Sequence, residues 1–130
     1  MYALDEKMGA LRALQTLSTL PNDFKGTNAC AEIKLHPSGR FAYISNRGHD
    51  SIAKFSVDDD GKLSALGQTP TEKTPRSFDM ELSGKYLYAA GESSGKLAAY
   101  RIDAKTGDLT RFASYEVGKM PWWVMGVKMP

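Results

Sequence analysis

The sequence predicts an all-β fold, a partial β-propeller of about 2.5 blades in which each full blade is a four-stranded antiparallel meander. Three observations predict it. The stretch "HPSGRFAYISN" (His36 to Asn46) recurs as "ELSGKYLYAAG" (Glu81 to Gly91) at a constant offset of 45 residues. The stretches "YALDEKMGAL", "FSVDDDGKL" and "YRIDAKTGDL", which begin at Tyr2, Phe55 and Tyr100, share in order an aromatic, an aliphatic, an aspartate, a glycine and a leucine. Leu63 and Leu109, and Pro75 and Pro121, both lie 46 residues apart. Such a period falls in the range of ~40–50 residues that one propeller blade occupies.

At the N-terminus, Leu4, Met8, Leu11, Leu14, Leu17 and Leu20 recur every three or four residues behind Asp5, which alone would signal a capped amphipathic helix. Two strands are the better reading. Gly9 would sit inside that helix at a cost, and Tyr2, Leu4, Asp5, Gly9 and Leu11 match the other two copies of the turn. Residues 1–20 are therefore expected to supply the end of one blade. Residues 29–70 read as a complete blade: "CAEIKLH", a Pro37-Ser38-Gly39 turn, "RFAYISN", "SIAKFSV", an acidic turn at Asp58 to Gly61, and "LSALGQT". In "RFAYISN" both faces are largely apolar, which predicts a strand sandwiched between layers. Residues 76–117 repeat the order as "RSFDMEL", "KYLYAAG", "KLAAYRI" and "DLTRFASYEV", and residues 121–130 read as the first strand of a further blade. Such a set leaves apolar blade faces open, to be covered by self-association in a homo-oligomer or by missing blades of the same chain.

A formal charge of +2 is too small to imply nucleic acid or an anionic membrane as partner, and no apolar run approaches the ~20 residues of a membrane helix. The chain reads as soluble and cytoplasmic. Its single cysteine, Cys30, cannot form an intrachain disulfide and reads as a small, partly buried side chain. Consecutive Asp58, Asp59 and Asp60 read as a solvated turn and not as calcium ligands, because neighbouring side chains diverge and no matching ligand set accompanies them.

With the repeat set aside, "SNRG" at Ser45 to Gly48 and "TPRSF" at Thr74 to Phe78, within "STLPNDFKGTNACAEIKLHPSGRFAYISNRGHDSIAKFSVD" and "TEKTPRSFDMELSGKYLYAAGESSGKLAAYRID", resemble the C-terminal portion of the propeller-type lactonase family, seven-bladed β-propellers of the 6-phosphogluconolactonase kind. The resemblance runs from about Tyr2 to Trp123. It implies hydrolysis of a small anionic sugar lactone, with no metal and no cofactor, in a polar pocket at one mouth of the propeller. In that picture guanidinium groups grip the anion and stabilise the oxyanion.

The resemblance assigns catalytic roles to Arg47 and Arg76. Neither has an arginine at its repeat-equivalent positions: Arg47 corresponds to Glu92, and Arg76 to Ala31 and Trp122. Asn46, Glu32, Asn28 and His49 are the substrate-binding candidates, each weighed against a turn cap, a solvated loop residue or a blade-to-blade hydrogen bond. His36 reads as a turn residue, and Trp122 and Trp123 as packing where the last strand docks. The sequence thus leaves open a lactonase that carries part of a pocket, a noncatalytic or truncated module that self-associates through its blade faces, and a module whose open edges capture a partner strand.

Overall fold

The computed structural model of the chain describes residues 1–128, and among them every regular element is a strand. In chain order these are β1 (Tyr2–Asp5), β2 (Ala10–Ala13), β3 (Ala29–Leu35), β4 (Phe41–Arg47), β5 (Ser51–Val57), β6 (Leu63–Pro70), β7 (Pro75–Met80), β8 (Tyr86–Gly91), β9 (Lys96–Ile102) and β10 (Leu109–Glu116). They form a two-stranded sheet β1-β2 and two four-stranded sheets, β3-β4-β5-β6 and β7-β8-β9-β10, with every pairing antiparallel. This is the meander of successive propeller blades.

Residues 2–13 form two strands, with Leu4 on β1 and Leu11 on β2, because the turn chemistry wins. Asp5 Oδ1 accepts the amides of Lys7 and Met8, and Gly9 takes φ 65°, a left-handed conformation that costs glycine little. The same device closes the other two copies of the turn: Asp58 Oδ1 accepts the amides of Asp60 and Lys62, and Asp103 Oδ1 those of Lys105 and Thr106. The repeated aspartate is therefore a hairpin brace.

β4 is buried on both sides, as its pattern predicts. Phe41 and Tyr43, with Ile52 of β5, pack against Phe78 and Met80 of β7, Leu87 and Ala89 of β8 and Tyr100 of β9, which makes the main core an interface between two sheets. Ala42 and Ile44, with Ala53 and Phe55, form a second cluster on the opposite face. Each fully buried large side chain of this kind contributes about 1.5–3 kcal/mol.

Polar clamps lock the two sheets at the hairpin end. Tyr43 Oη donates to the Gly107 carbonyl at 2.7 Å, Arg40 donates to the Ala104 carbonyl, and Lys54 pairs with Asp108 while donating to Thr106 O at 3.1 Å. Gly107 is required there, since a Cβ would lie 2.7 Å from the Phe41 ring. His36 does more than turn the chain. It is buried, and its Nε2 donates to Gly84 O at 2.9 Å, so that Nδ1 is left to accept the Ser38 amide at 3.1 Å. It ties the first hairpin of one blade to that of the next.

Two expectations change. Cys30 is exposed, because β3 is an edge strand with most of its residues open. Residues 121–128 make no strand ladder: Val124 N donates to Ser77 Oγ at 3.1 Å and Gly126 N to Asp79 Oδ2 at 3.0 Å, so this segment lies along β7 on side-chain acceptors. The last two residues of the strand expected over 121–130 lie outside the described residues.

Candidate functional site at the loop end

The end opposite the aspartate-braced turns gathers the loops 14–28, 48–50, 71–74 and 92–95, and hydrogen bonds stitch them together. His49 N donates to Asn28 Oδ1 at 3.1 Å. Asp50 O accepts Thr71 N, and Asp50 Oδ1 accepts Thr74 N, both at 2.9 Å. Thr74 O then accepts Glu92 N at 2.9 Å. This continuous seam runs from one blade to the next, and it places Arg47 and Arg76 at the same end of the molecule.

Arg47 is the last residue of β4, opposite Ala29 of β3. Its Nη2 reaches Cys30 O at 3.4 Å, while its Nε is buried with no hydrogen-bond partner. Among the described residues no carboxylate forms an ion pair with it. The chain turns away at once because Gly48 adopts φ 123°, and a Cβ there would lie 2.1 Å from Thr27 O. The loop after Arg47 can nest on the 27–28 backbone only with glycine at this position.

Arg76 sits on a β-bulge. Pro75 pairs with Gly91 and Ser77 with Ala90, which leaves Arg76 as the extra residue, and a bulge re-aims such a side chain out of the ladder. β3 has an irregularity at the equivalent place, between Cys30 and Ile33, so the bulge belongs to the repeat. The Arg76 guanidinium is held twice: Nη1 donates to Glu92 Oε2 at 3.3 Å, and the group stacks 4.7 Å from the centre of the Trp122 ring. Trp122, expected as packing, is 56% exposed and serves as the platform under this cation.

The repeat explains why the two arginines differ. In the second full blade the bulge residue and the residue after the second strand are Arg76 and Glu92, which pair. The same two positions of the first full blade hold Ala31 and Arg47. Arg47 therefore has a methyl group where its counterpart has an opposite charge.

The other candidates divide. Asn46 is 0% exposed and both ends of its amide are engaged: Oδ1 accepts Thr19 Oγ1 at 2.7 Å and Asn28 Nδ2 at 3.1 Å, and Nδ2 donates to Thr19 O at 3.0 Å. Asn28 is likewise spent on Asn46 and His49. His49 places Nδ1 2.7 Å from Ser51 Oγ and sets its ring edge-on to Phe24 at 4.9 Å. These three form a scaffold behind Arg47. Glu32 is half-buried, with its amide on Ser45 Oγ at 3.0 Å, and it lines a cavity of about 390 Å³ with Tyr2, Leu17, Cys30, Ile44 and Phe55. Neither Arg47 nor Arg76 lines that cavity.

Sequence reasoning missed Glu72, Glu92 and the role of Trp122. Glu72 is 8% exposed in the loop before Arg76, where it pairs with Arg111 and accepts Ser114 Oγ at 3.0 Å. Burial pushes its carboxyl up, but hydrogen bonds from Ser114 and Ser94 and the Arg111 guanidinium outweigh that and hold it below the usual 4.5. A carboxyl depressed in the folded state stabilises the fold above its unfolded value, and that stability is lost as pH falls through the lowered value. Thermal melts between pH 6 and pH 3 should accordingly show a steep loss of stability below pH 4.5 in the wild type. In Glu72→Gln the loss should be shallower, with stability lower by about 1 kcal/mol at neutral pH.

The family model "Lactonase, 7-bladed beta-propeller" matches residues 1–125. A 6-phosphogluconolactonase of Serratia proteamaculans is 42% identical over 125 residues, covering 95% of this chain and 38% of that protein. The corresponding protein of Pectobacterium carotovorum is also 42% identical over the same length. Among solved structures, a periplasmic gluconolactonase of Pseudomonas aeruginosa superposes with a TM-score of 0.84 at 30% identity, covering 91% of this chain and 33% of its own. A protein from Lactobacillus plantarum gives 0.85 at 30% identity, covering 91% and 35%. The chain spans 38% of the length of the curated relatives quoted.

Proposed function

The chain belongs to the seven-bladed β-propeller lactonase family, and on that premise we propose that its loop end supplies two cations of a mouth that hydrolyses an anionic sugar-acid lactone such as 6-phosphogluconolactone. The observation that carries this reading is an Arg47 without an ion pair among the described residues at the same end of the sheets as the Glu92-paired Arg76. Water adds to the ester carbonyl, the tetrahedral oxyanion collapses with cleavage of the ring C–O bond, and the products are a carboxylate, a hydroxyl and one released proton. Arg47, with no carboxylate paired to it among the described residues, has the stronger field for the oxyanion. Arg76 has part of its charge offset by Glu92, which suits it to gripping the anionic substituent of the substrate in the ground state. Asn46, Asn28 and His49 hold the loop that presents Arg47. The compartment we propose is the cytoplasm, where an exposed Cys30 with no second cysteine persists as a thiol.

A second reading has its own observation. Trp123, Met125 and Val127 expose an apolar stripe at alternate positions, and Tyr2, Leu4 and Leu11 expose another at the N-terminal sheet. Such faces suit a noncatalytic module that associates with copies of itself. Proton release from freshly prepared 6-phosphogluconolactone, corrected for spontaneous hydrolysis, separates the two readings when run alongside light scattering at micromolar concentration. Turnover above background supports the lactonase. A background rate with a concentration-dependent oligomer overturns it in favour of the module.

A further inference from the structure

Arg76 is held from two sides by groups that have no reason to be polar or aromatic for the sake of the scaffold. Glu92 stands where the preceding blade has Arg47, and Trp122 stands where the two preceding blades have Arg76 and Ala31. Both contacts are to the guanidinium itself, at 3.3 Å from Nη1 and 4.7 Å from the ring centre. Stacking restricts the long side chain and leaves the in-plane donors available for a forked contact. Among the described residues Glu92, through Nη1, is the only side-chain hydrogen-bond partner of Arg76, so Nε and Nη2 remain as an open edge.

Resting on the reading of Arg76 as the anion grip, we propose that Glu92 and Trp122 are positioning residues that set how strongly this grip holds phosphate. The two act with opposite sign. Trp122 pre-orders the fork, so losing the ring weakens the binding of any anion. Glu92 orients the fork but also places a negative charge beside it, which an incoming anion must tolerate. That repulsion grows with the charge of the anion, so it weighs most on a dianionic phosphate, and removing the charge while keeping the acceptor tightens the hold. Neither residue touches the reacting carbonyl.

The test uses the whole chain, labelled for arginine side-chain NMR and titrated with inorganic phosphate and with 6-phosphogluconate. The Arg76 Nε–H resonance should lie upfield through the Trp122 ring current, return to the ordinary position in Trp122→Leu, and be restored in part by Trp122→Phe. Phosphate should bind several-fold more weakly to Trp122→Leu. It should bind about fivefold more tightly to Glu92→Gln, which keeps an acceptor for Nη1 and removes the charge. A Trp122→Leu spectrum that leaves Arg76 unmoved overturns the proposal, as does a Glu92→Gln variant that binds phosphate more weakly, or a wild type in which phosphate shifts nothing at Arg76. Should Trp122→Leu not fold, Trp122→Phe and Glu92→Gln carry the same test. If all these shifts occur and lactone turnover stays at background, the lactonase reading falls and the clamp stands.

Discussion

On the proposed lactonase reading, replacing Arg47 by alanine should lower kcat for 6-phosphogluconolactone by about 10²–10³, the usual loss when one oxyanion donor is removed, with little change in KM. The expectation follows from where the charge sits. An arginine paired with a carboxylate has its field largely cancelled, whereas the repeat gives the blade of Arg47 an alanine, Ala31, at the position of Arg76, and no carboxylate in the described residues pairs with Arg47. Such a donor gains most when negative charge develops. Arg76→Ala should do the reverse and raise KM with a smaller effect on kcat, because it removes an interaction made equally in ground and transition states. The measurement is initial-rate proton release for both variants, each corrected for spontaneous hydrolysis. Equal effects of the two substitutions on kcat would remove the division of labour drawn between them.

Much of the architecture was legible because propeller strands carry two independent signals, alternation and repetition. The doubly apolar "RFAYISN" announced a sandwiched strand, and its two faces do feed separate clusters. The leucine period at residues 4–20 was a false lead, corrected in advance by the match of Asp5 and Gly9 to the other turns. The site was less legible, for a physical reason. A side chain that acts through a neighbour leaves its mark in three dimensions, and Glu92 and Trp122 are 16 and 46 residues from Arg76 in sequence. The signal was present in the repeat: aligning the blades sets Arg47 over Glu92 and Arg76 over Trp122, so the positions that depart from the scaffold are the ones that meet. What sequence could not show was that Asn46 and Asn28 spend their amides on each other and on the backbone. An asparagine at a strand end reads the same whether it faces a substrate or a loop.

Tyr43→Ala should cost about 3–5 kcal/mol and leave little folded protein at room temperature, whereas Tyr43→Phe should cost about 1–2 kcal/mol, both read from urea denaturation. Tyr43 is 0% exposed in the cluster between the two full blades, so removing its ring opens a cavity that sheets on both sides are too rigid to fill. Phenylalanine keeps the ring and loses only the hydrogen bond, which strands the Gly107 carbonyl in a hairpin already pressed onto Phe41. The difference between the two variants thus separates packing from clamping. The phenol adds a pH signature. Burial, and then the charge of Asp108, raise its ionisation above the ordinary 10.0. An acid whose pKa is raised on folding gives stability that is present below the unfolded value and lost above it, since the unfolded chain then sheds its proton first. Wild-type stability should therefore fall more steeply above pH 10 than that of Tyr43→Phe, and parallel curves for the two would mean that the phenol is not buried in solution.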